Sequence, residues 1–355
     1  VHPTNVARRR PDRQGRRGRR ALTALGVVVA AVTLAGCTPW AGFEAVDPAG
    51  PGADGPCTAQ RREVANPADP ARPAVLYEPV GDAAPWTGGR CGDAARPLAV
   101  FVHGYGGSDD AVYGALVDHL VGAGFAVVFP RYANAIDLPR HRAVVDAAVV
   151  AAVGASGRID TSRVGVAGHS MGAGMAPWVL QQAVARGWGG SATWLVLFAP
   201  FYADGHGVGS ISVPATTRVA VVAYDGDTVV DARVGIELFH ALTVDADRKD
   251  HVLVRSDTAQ RPWAVADHWG PVAFRSPGAG ALAVDHLDRW TAFRAIDAVA
   301  GCALDGRWCG TDLSRTGTRP DRSPLRAAVV SDLPVDAGPA ATFECDSALN
   351  PRPCP

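Results

Sequence analysis

Short apolar runs alternate with longer amphipathic ones from about residue 73 to residue 300, and this alternation most limits what the chain can fold into. "LAVFVHG" (98–104), "FAVVFPRY", "RVGVAGHS", "TWLVLFAPF" (193–201), "RVAVVAYD" (218–225) and "HVLVRSD" (251–257) are rich in branched and aromatic residues. Such continuous apolar runs are the pattern of strands covered on both faces. Helical patterns stand between them: "DDAVYGALVDHLVGAG", "LPRHRAVVDAAVVAAVGAS" and "MGAGMAPWVLQQAVARG". The first has Asp109 or Asp110 as N-cap and Gly122 or Gly124 near its stop. A last helix is expected over roughly Val284–Ala300. Strand and helix repeated at this spacing predict a doubly wound, mostly parallel α/β sheet in a single domain. In such sheets the functional loops lie beyond the carboxyl ends of the strands.

The first 36 residues follow different rules. An arginine-rich stretch, "RRRPDRQGRRGRR", precedes the apolar run "ALTALGVVVAAVTLAG" and then Cys37. A basic region before about fifteen apolar residues predicts an export signal, too short for a comfortable membrane span. Its end, Leu34-Ala35-Gly36-Cys37, looks like a bacterial lipobox, which predicts lipidation of Cys37 and anchoring to the outer face of the cell membrane. Without lipid on Cys37 the protein would be secreted. Arg19-Arg20 leaves the twin-arginine and general export routes both open. Residues 37–56, rich in Pro, Gly and Ala, predict a tether, followed by a catalytic domain over 57–310 and a C-terminal extension over 311–355.

Charge and cysteines support export and exclude one class of partner. Residues 1–36 carry eight arginines and one aspartate, so with a net charge of −1 the remaining chain is acidic. An acidic body lacks the basic field that nucleic acid demands. With Cys37 set aside, six of the seven cysteines remain, and proximity suggests Cys57–Cys91, Cys302–Cys309 and Cys345–Cys354, the last pinning the extension. A zinc site is disfavoured because no Cys-x-x-Cys pair occurs.

The strand ends carry the chemistry. "RVGVAGHSMGAGM" sets Gly168-His169-Ser170-Met171-Gly172 between a buried strand and a helix. The bare Gly-x-Ser-x-Gly pattern is weak in a chain with 40 glycines, but the strand–turn–helix context makes Ser170 a candidate nucleophile. A serine hydroxyl needs a base, a group that orients the base, and donors for the developing oxyanion. The loop "HGYGG" after the first strong strand offers the backbone N–H of Tyr105, partnered by that of Met171; His103 is expected to orient this loop. "VVAYDGDTVVD" offers Asp225, Asp227 and Asp231, of which Asp227 fits the turn past the strand best and Asp225 is the alternative. This stretch lacks the spacing of a calcium loop. His268, in the loop "AVADHWGPV", is the expected base, because His251 begins a strand at the remote end and His286 lies with the final helix.

With these segments quoted, the chain from about 73 to 300 resembles the serine α/β-hydrolases. It is most similar to bacterial esterases of the cutinase-like and polyester-hydrolase kind, and to their dienelactone-hydrolase and chlorophyllase-like relatives. "GHSMG", "HGYGG", "DGDTVVD" and "DHWGP" carry the resemblance, and "FAPF" (198–201) matches a further segment. The resemblance implies hydrolysis of carboxylic esters by a Ser170–Asp227–His268 triad without metal or organic cofactor. It also implies an acyl pocket with Phe201 opposite Tyr105; Trp263 and Trp269 stand in a longer loop beside it. The expected partners are a small-molecule, lipid or polymer ester and the membrane, with the chain a monomer. Acyl transfer to a sugar or lipid hydroxyl shares the same acyl-enzyme and stays open, and a non-catalytic envelope lipoprotein is the reading from another class.

Overall fold

The structure, a computed structural model, describes residues 48–81, 91, 94–201, 211–275 and 282–334, all within one compact unit, Trp40–Pro355. The expected export signal, Cys37, residues 38–47 and the suggested Cys345–Cys354 pairing lie outside the described residues. Among the described residues, nine strands form one sheet: β1 (Thr58–Val64), β2 (Ala74–Val80), β3 (Arg96–Val102), β4 (Ala126–Phe129), β5 (Ile159–His169), β6 (Ala192–Phe198), β7 (Arg218–Tyr224), β8 (Lys249–Val254) and β9 (Val329–Ser331). Their order is β1-β2-β4-β3-β5-β6-β7-β8-β9. The six strands from β4 to β8 are parallel, while β1, β2 and β9 pair antiparallel at the two edges. The protein is therefore a mostly parallel α/β sheet, as the apolar runs imply.

Among the described residues, five α-helices connect the strands: α1 (Gly114–Gly122), α2 (Leu138–Gly154), α3 (Met171–Ala185), α4 (Ala232–Ala241) and α5 (Arg294–Asp305). Alternate strand residues feed two cores. Phe101, Phe129, Val196 and Val222 face α1 and α5, through Leu116, Leu120 and Ile296. Val100, Val128, Val166 and Leu197 face α2, α3 and α4, through Val145, Leu180 and Leu238. Period-two alternation with apolar residues at every position is what a sheet covered on both sides demands.

The structure corrects several expected boundaries. Asp109 is the N-cap, accepting from Ala111 N at 3.0 Å, but the element it caps opens as a 3-10 turn (Asp110–Tyr113) before α1. β6 stops at Phe198, because Ala199 takes φ +44° and turns the chain away. The final helix begins at His286, passes through a π-helical turn (Asp288–Phe293) into α5 and runs beyond Ala300 to Asp305. Residues 48–52, part of the expected tether, pack against the folded body. Pro48, Pro51 and Gly52 are buried, and Gly52 N donates to Asp297 Oδ2 at 2.8 Å. The 311–355 extension also shares the sheet, since its Val329–Ser331 segment is β9. Cys57–Cys91 and Cys302–Cys309 are disulfides.

Candidate active site

Because β3, β5, β6, β7 and β8 are parallel, their carboxyl ends open at one edge of the sheet, and every candidate residue of the chemistry stands there. Ser170 follows β5 directly and is the N-cap of α3, at φ +54° and ψ −120°. A residue with a β-carbon avoids such a conformation unless its surroundings enforce it. Here they do: Ser170 N donates to Phe198 O at 2.9 Å, and Ser170 O accepts from Gly174 N and Phe201 N, each at 3.1 Å. The flanking glycines make this turn sterically possible. A Cβ at Gly172 would lie 2.0 Å from Val102 O, and one at Gly168 would lie 2.6 Å from Gly172 O.

Asp227 and His268 form a buried pair. His268 Nδ1 lies 2.8 Å from Asp227 Oδ2, and the His268 residue is 3 % exposed. The other carboxylate oxygen, Oδ1, accepts from Val229 N at 2.8 Å and Val230 N at 3.0 Å, so the acid has one orientation available. Its turn is tied to the loop of the base by Gly226 N donating to Ala266 O at 2.8 Å. The His268 ring stands 4.7 Å, centroid to centroid, from that of His169, the residue before Ser170. A carboxylate on Nδ1 leaves Nε2 of His268 as the nitrogen available for proton transfer.

The alternative acids are used elsewhere. Asp225 Oδ1 accepts from Ser256 N at 2.8 Å and Ser256 Oγ at 2.7 Å, and Ser256 Oγ in turn accepts from Ala266 N at 3.0 Å. Asp225 thus braces the base loop from below. Asp231 caps α4 through Arg233 N at 3.0 Å. Among the described residues, no three His, Cys, Asp or Glu side chains are grouped to hold a metal ion.

The loop after β3 is held by its own histidine. Gly104 O receives His103 Nδ1 at 2.7 Å and Gly107 N at 3.1 Å. Gly104 C=O and Tyr105 N–H belong to one planar peptide unit, so anchoring the carbonyl also aims the Tyr105 amide. His103 Nε2 accepts from Tyr132 N at 3.2 Å, which makes Nδ1 the protonated nitrogen. Burial lowers the His103 pKa to about 3, so the ring stays neutral at physiological pH. The position of Gly104 against the Ser170 turn is tight: a Cβ there would come within 3.2 Å of Ser170 Cβ. Met171, the first residue of α3, carries one of the helix amides that have no intrahelical acceptor.

The expected pocket residues are distributed unevenly. Phe201 is bonded to Ser170 through its backbone and packs against both cores. Trp269 stands edge-on to His268 with centroids 5.3 Å apart, and Tyr105 is partly buried against the second core. Trp263 carries the Arg261 guanidinium 4.5 Å over its ring. It belongs to a small loop closed by the Asp257–Ala264 hydrogen bonds, at 2.7 and 3.0 Å.

Two further residues were not legible as functional. Tyr113 Oη and His169 Nδ1 lie 2.8 Å apart, and Tyr113 Oη accepts from Gly104 N at 3.0 Å. His169 lies within the quoted pentapeptide, where nothing distinguishes it from a spacer; Tyr113 reads as an apolar position of a helix. Burial, and next the neighbouring His268, hold the His169 pKa well below that of a free imidazole. No protein-family model matches this chain, and comparison with curated proteins gives no match. The functional reading therefore rests on geometry and chemistry.

Proposed function

We propose that the protein is a serine hydrolase of the α/β-hydrolase kind that cleaves carboxylic esters through an acyl-enzyme on Ser170. The observation that carries this reading is the buried Asp227–His268 hydrogen bond at 2.8 Å, beside a serine held at φ +54° between a strand and a helix. The chain order Ser, Asp, His along an α/β sheet is the order this class of hydrolase uses.

In the proposed reaction His268 Nε2 takes the Ser170 hydroxyl proton as Oγ attacks the ester carbonyl. Asp227 holds the tautomer with the proton on Nδ1 and stabilises the imidazolium that forms. The amides of Met171 and Tyr105 receive the oxyanion, aided by the positive end of α3. His268 returns the proton to the departing alcohol, and water then resolves the acyl-enzyme by the same route. The reading also sets the enzyme outside the cytoplasm, anchored through Cys37; the two disulfides support an oxidising compartment.

The test is turnover of p-nitrophenyl butyrate together with labelling by a fluorophosphonate probe. Wild type is expected to hydrolyse the ester and to take label on Ser170. Ser170→Ala is expected to lose both, with an unchanged circular dichroism spectrum. Retained turnover in folded Ser170→Ala would overturn the assignment.

A further inference from the structure

Three loops must keep register for the proposed chemistry: 104–107 for the oxyanion, 169–170 for the nucleophile and 267–269 for the base. One buried hydrogen-bonded chain runs through all three. Gly104 N lies 3.0 Å from Tyr113 Oη, Tyr113 Oη lies 2.8 Å from His169 Nδ1, and His169 Nε2 lies 2.9 Å from the carbonyl oxygen of His268. Tyr113 is 2 % exposed and His169 1 % exposed, so water does not compete for these bonds.

The proton positions follow from the ends of the chain. The carbonyl of His268 can only accept, so His169 Nε2 carries the proton. Nδ1 of His169 is then a lone pair and accepts the Tyr113 hydroxyl proton. The lone pairs of that hydroxyl are left for the Gly104 amide. Only one arrangement of protons satisfies every group. Burial keeps His169 neutral and raises the Tyr113 hydroxyl above its ordinary range, so neither group titrates while His268 works.

We propose, on the serine-hydrolase reading above, that Tyr113 is a positioning residue that registers the oxyanion loop against the nucleophile turn and, through His169, against the base. Tyr113 touches no reacting atom. It fixes Gly104 N–H, while His103 fixes Gly104 C=O on the neighbouring peptide unit, the unit that aims the Tyr105 amide. Tyr113→Phe keeps the ring and deletes the hydroxyl. It leaves Gly104 N and His169 Nδ1 without their partner, and the loop loses its register. Misplacing an oxyanion donor weakens transition-state binding more than substrate binding.

The experiment compares wild type, Tyr113→Phe and His169→Gln on p-nitrophenyl butyrate, with rates normalised to fluorophosphonate-labelled sites. Tyr113→Phe is expected to lower kcat about ten- to a hundredfold with KM within about twofold. Affinity for an alkyl boronic acid, whose serine adduct carries a tetrahedral oxyanion, is expected to fall by the same factor as kcat/KM. His169→Gln retains a donor for the His268 carbonyl but loses the Nδ1 acceptor, and is expected to show the same signature. It also serves as the second variant if Tyr113→Phe folds poorly. Unchanged kcat per labelled site, in whichever variant folds, would overturn the proposal while leaving the hydrolase reading intact. A loss that disappears on normalising to labelled sites marks a merely structural tyrosine and also overturns it. Wild type that neither labels nor hydrolyses would instead bring down the hydrolase reading, and the proposal with it.

Discussion

At the scale of single residues, two aspartates two positions apart have been given different work. Asp227 turns Oδ2 to His268 and Oδ1 to two backbone amides, whereas Asp225 spends its Oδ1 on Ser256. Changing Asp227 to Asn keeps the shape and removes the charge that favours the productive imidazole tautomer. On the proposed mechanism Asp227→Asn lowers kcat about 10³–10⁴-fold. Asp225→Asn keeps an acceptor for Ser256 and is expected to retain kcat within about tenfold, its effect being the replacement of charge-assisted by neutral hydrogen bonding, a loss of about 1 kcal/mol. Steady-state kinetics and thermal melts on the two variants separate these roles. Activity lost only in Asp225→Asn would move the acid two positions back, to Asp225. The sequence leaves both open because both lie in one turn past one strand; only the second loop, with Ser256 and His268 facing different carboxylates, distinguishes them.

At the scale of elements, legibility followed burial. β3, β6 and β7 are apolar on both faces and can be read from composition alone. β1 cannot: "TAQRREV" lies largely exposed at the sheet edge, and its strand state comes from pairing with β2, which its own side chains do not announce. The stretch 48–56 misleads for the opposite reason. It has the composition of a linker, yet it is fastened to the body by charge. Asp54 pairs with Arg289 at 2.9 Å and lies 3.9 Å from His119, while His119 Nε2 lies 3.1 Å from Asp297 Oδ1 and its ring stacks on Phe293 at 4.4 Å. Burial disfavours the His119 cation, but Asp297 and then Asp54 outweigh it and raise the pKa to about 9. An imidazole whose folded pKa exceeds its unfolded value contributes its stability in full below about pH 6.5 and loses it as pH rises through 9. His119→Gln is therefore expected to be less stable than wild type at pH 6, and the gap to shrink by about 3 kcal/mol by pH 10. Urea unfolding of both proteins at the two pH values measures this; a gap independent of pH would remove the charge cluster as the fastening.

At the scale of the whole molecule, the sheet divides labour between its two ends. The carboxyl ends of the parallel strands hold the strained serine, the buried Asp227–His268 pair and the network through Tyr113, joined by side-chain hydrogen bonds between loops distant in sequence. Tyr113 and His169 are 56 positions apart, so no local pattern connects them, whereas Ser170, Asp227 and His268 can be sought one strand end at a time. The two disulfides lie outside this machinery. One joins Cys57 to Cys91, 34 positions apart, and the other joins Cys302 to Cys309, 7 apart, at the end of α5. A crosslink stabilises chiefly by limiting the unfolded chain, and the limit grows with the loop it closes. On that account the longer loop contributes about 3.8 kcal/mol and the shorter about 2.4 kcal/mol. The Cys57→Ala, Cys91→Ala double variant is thus expected to lose more stability than Cys302→Ala, Cys309→Ala, by about 1.4 kcal/mol, in urea unfolding monitored by tryptophan fluorescence. Both are expected to keep kcat per labelled site, because neither bridge touches a loop of the proposed site. A larger loss from the shorter bridge would mean that α5 depends on Cys302–Cys309 to hold its native end in place, and the unfolded chain would no longer account for the effect.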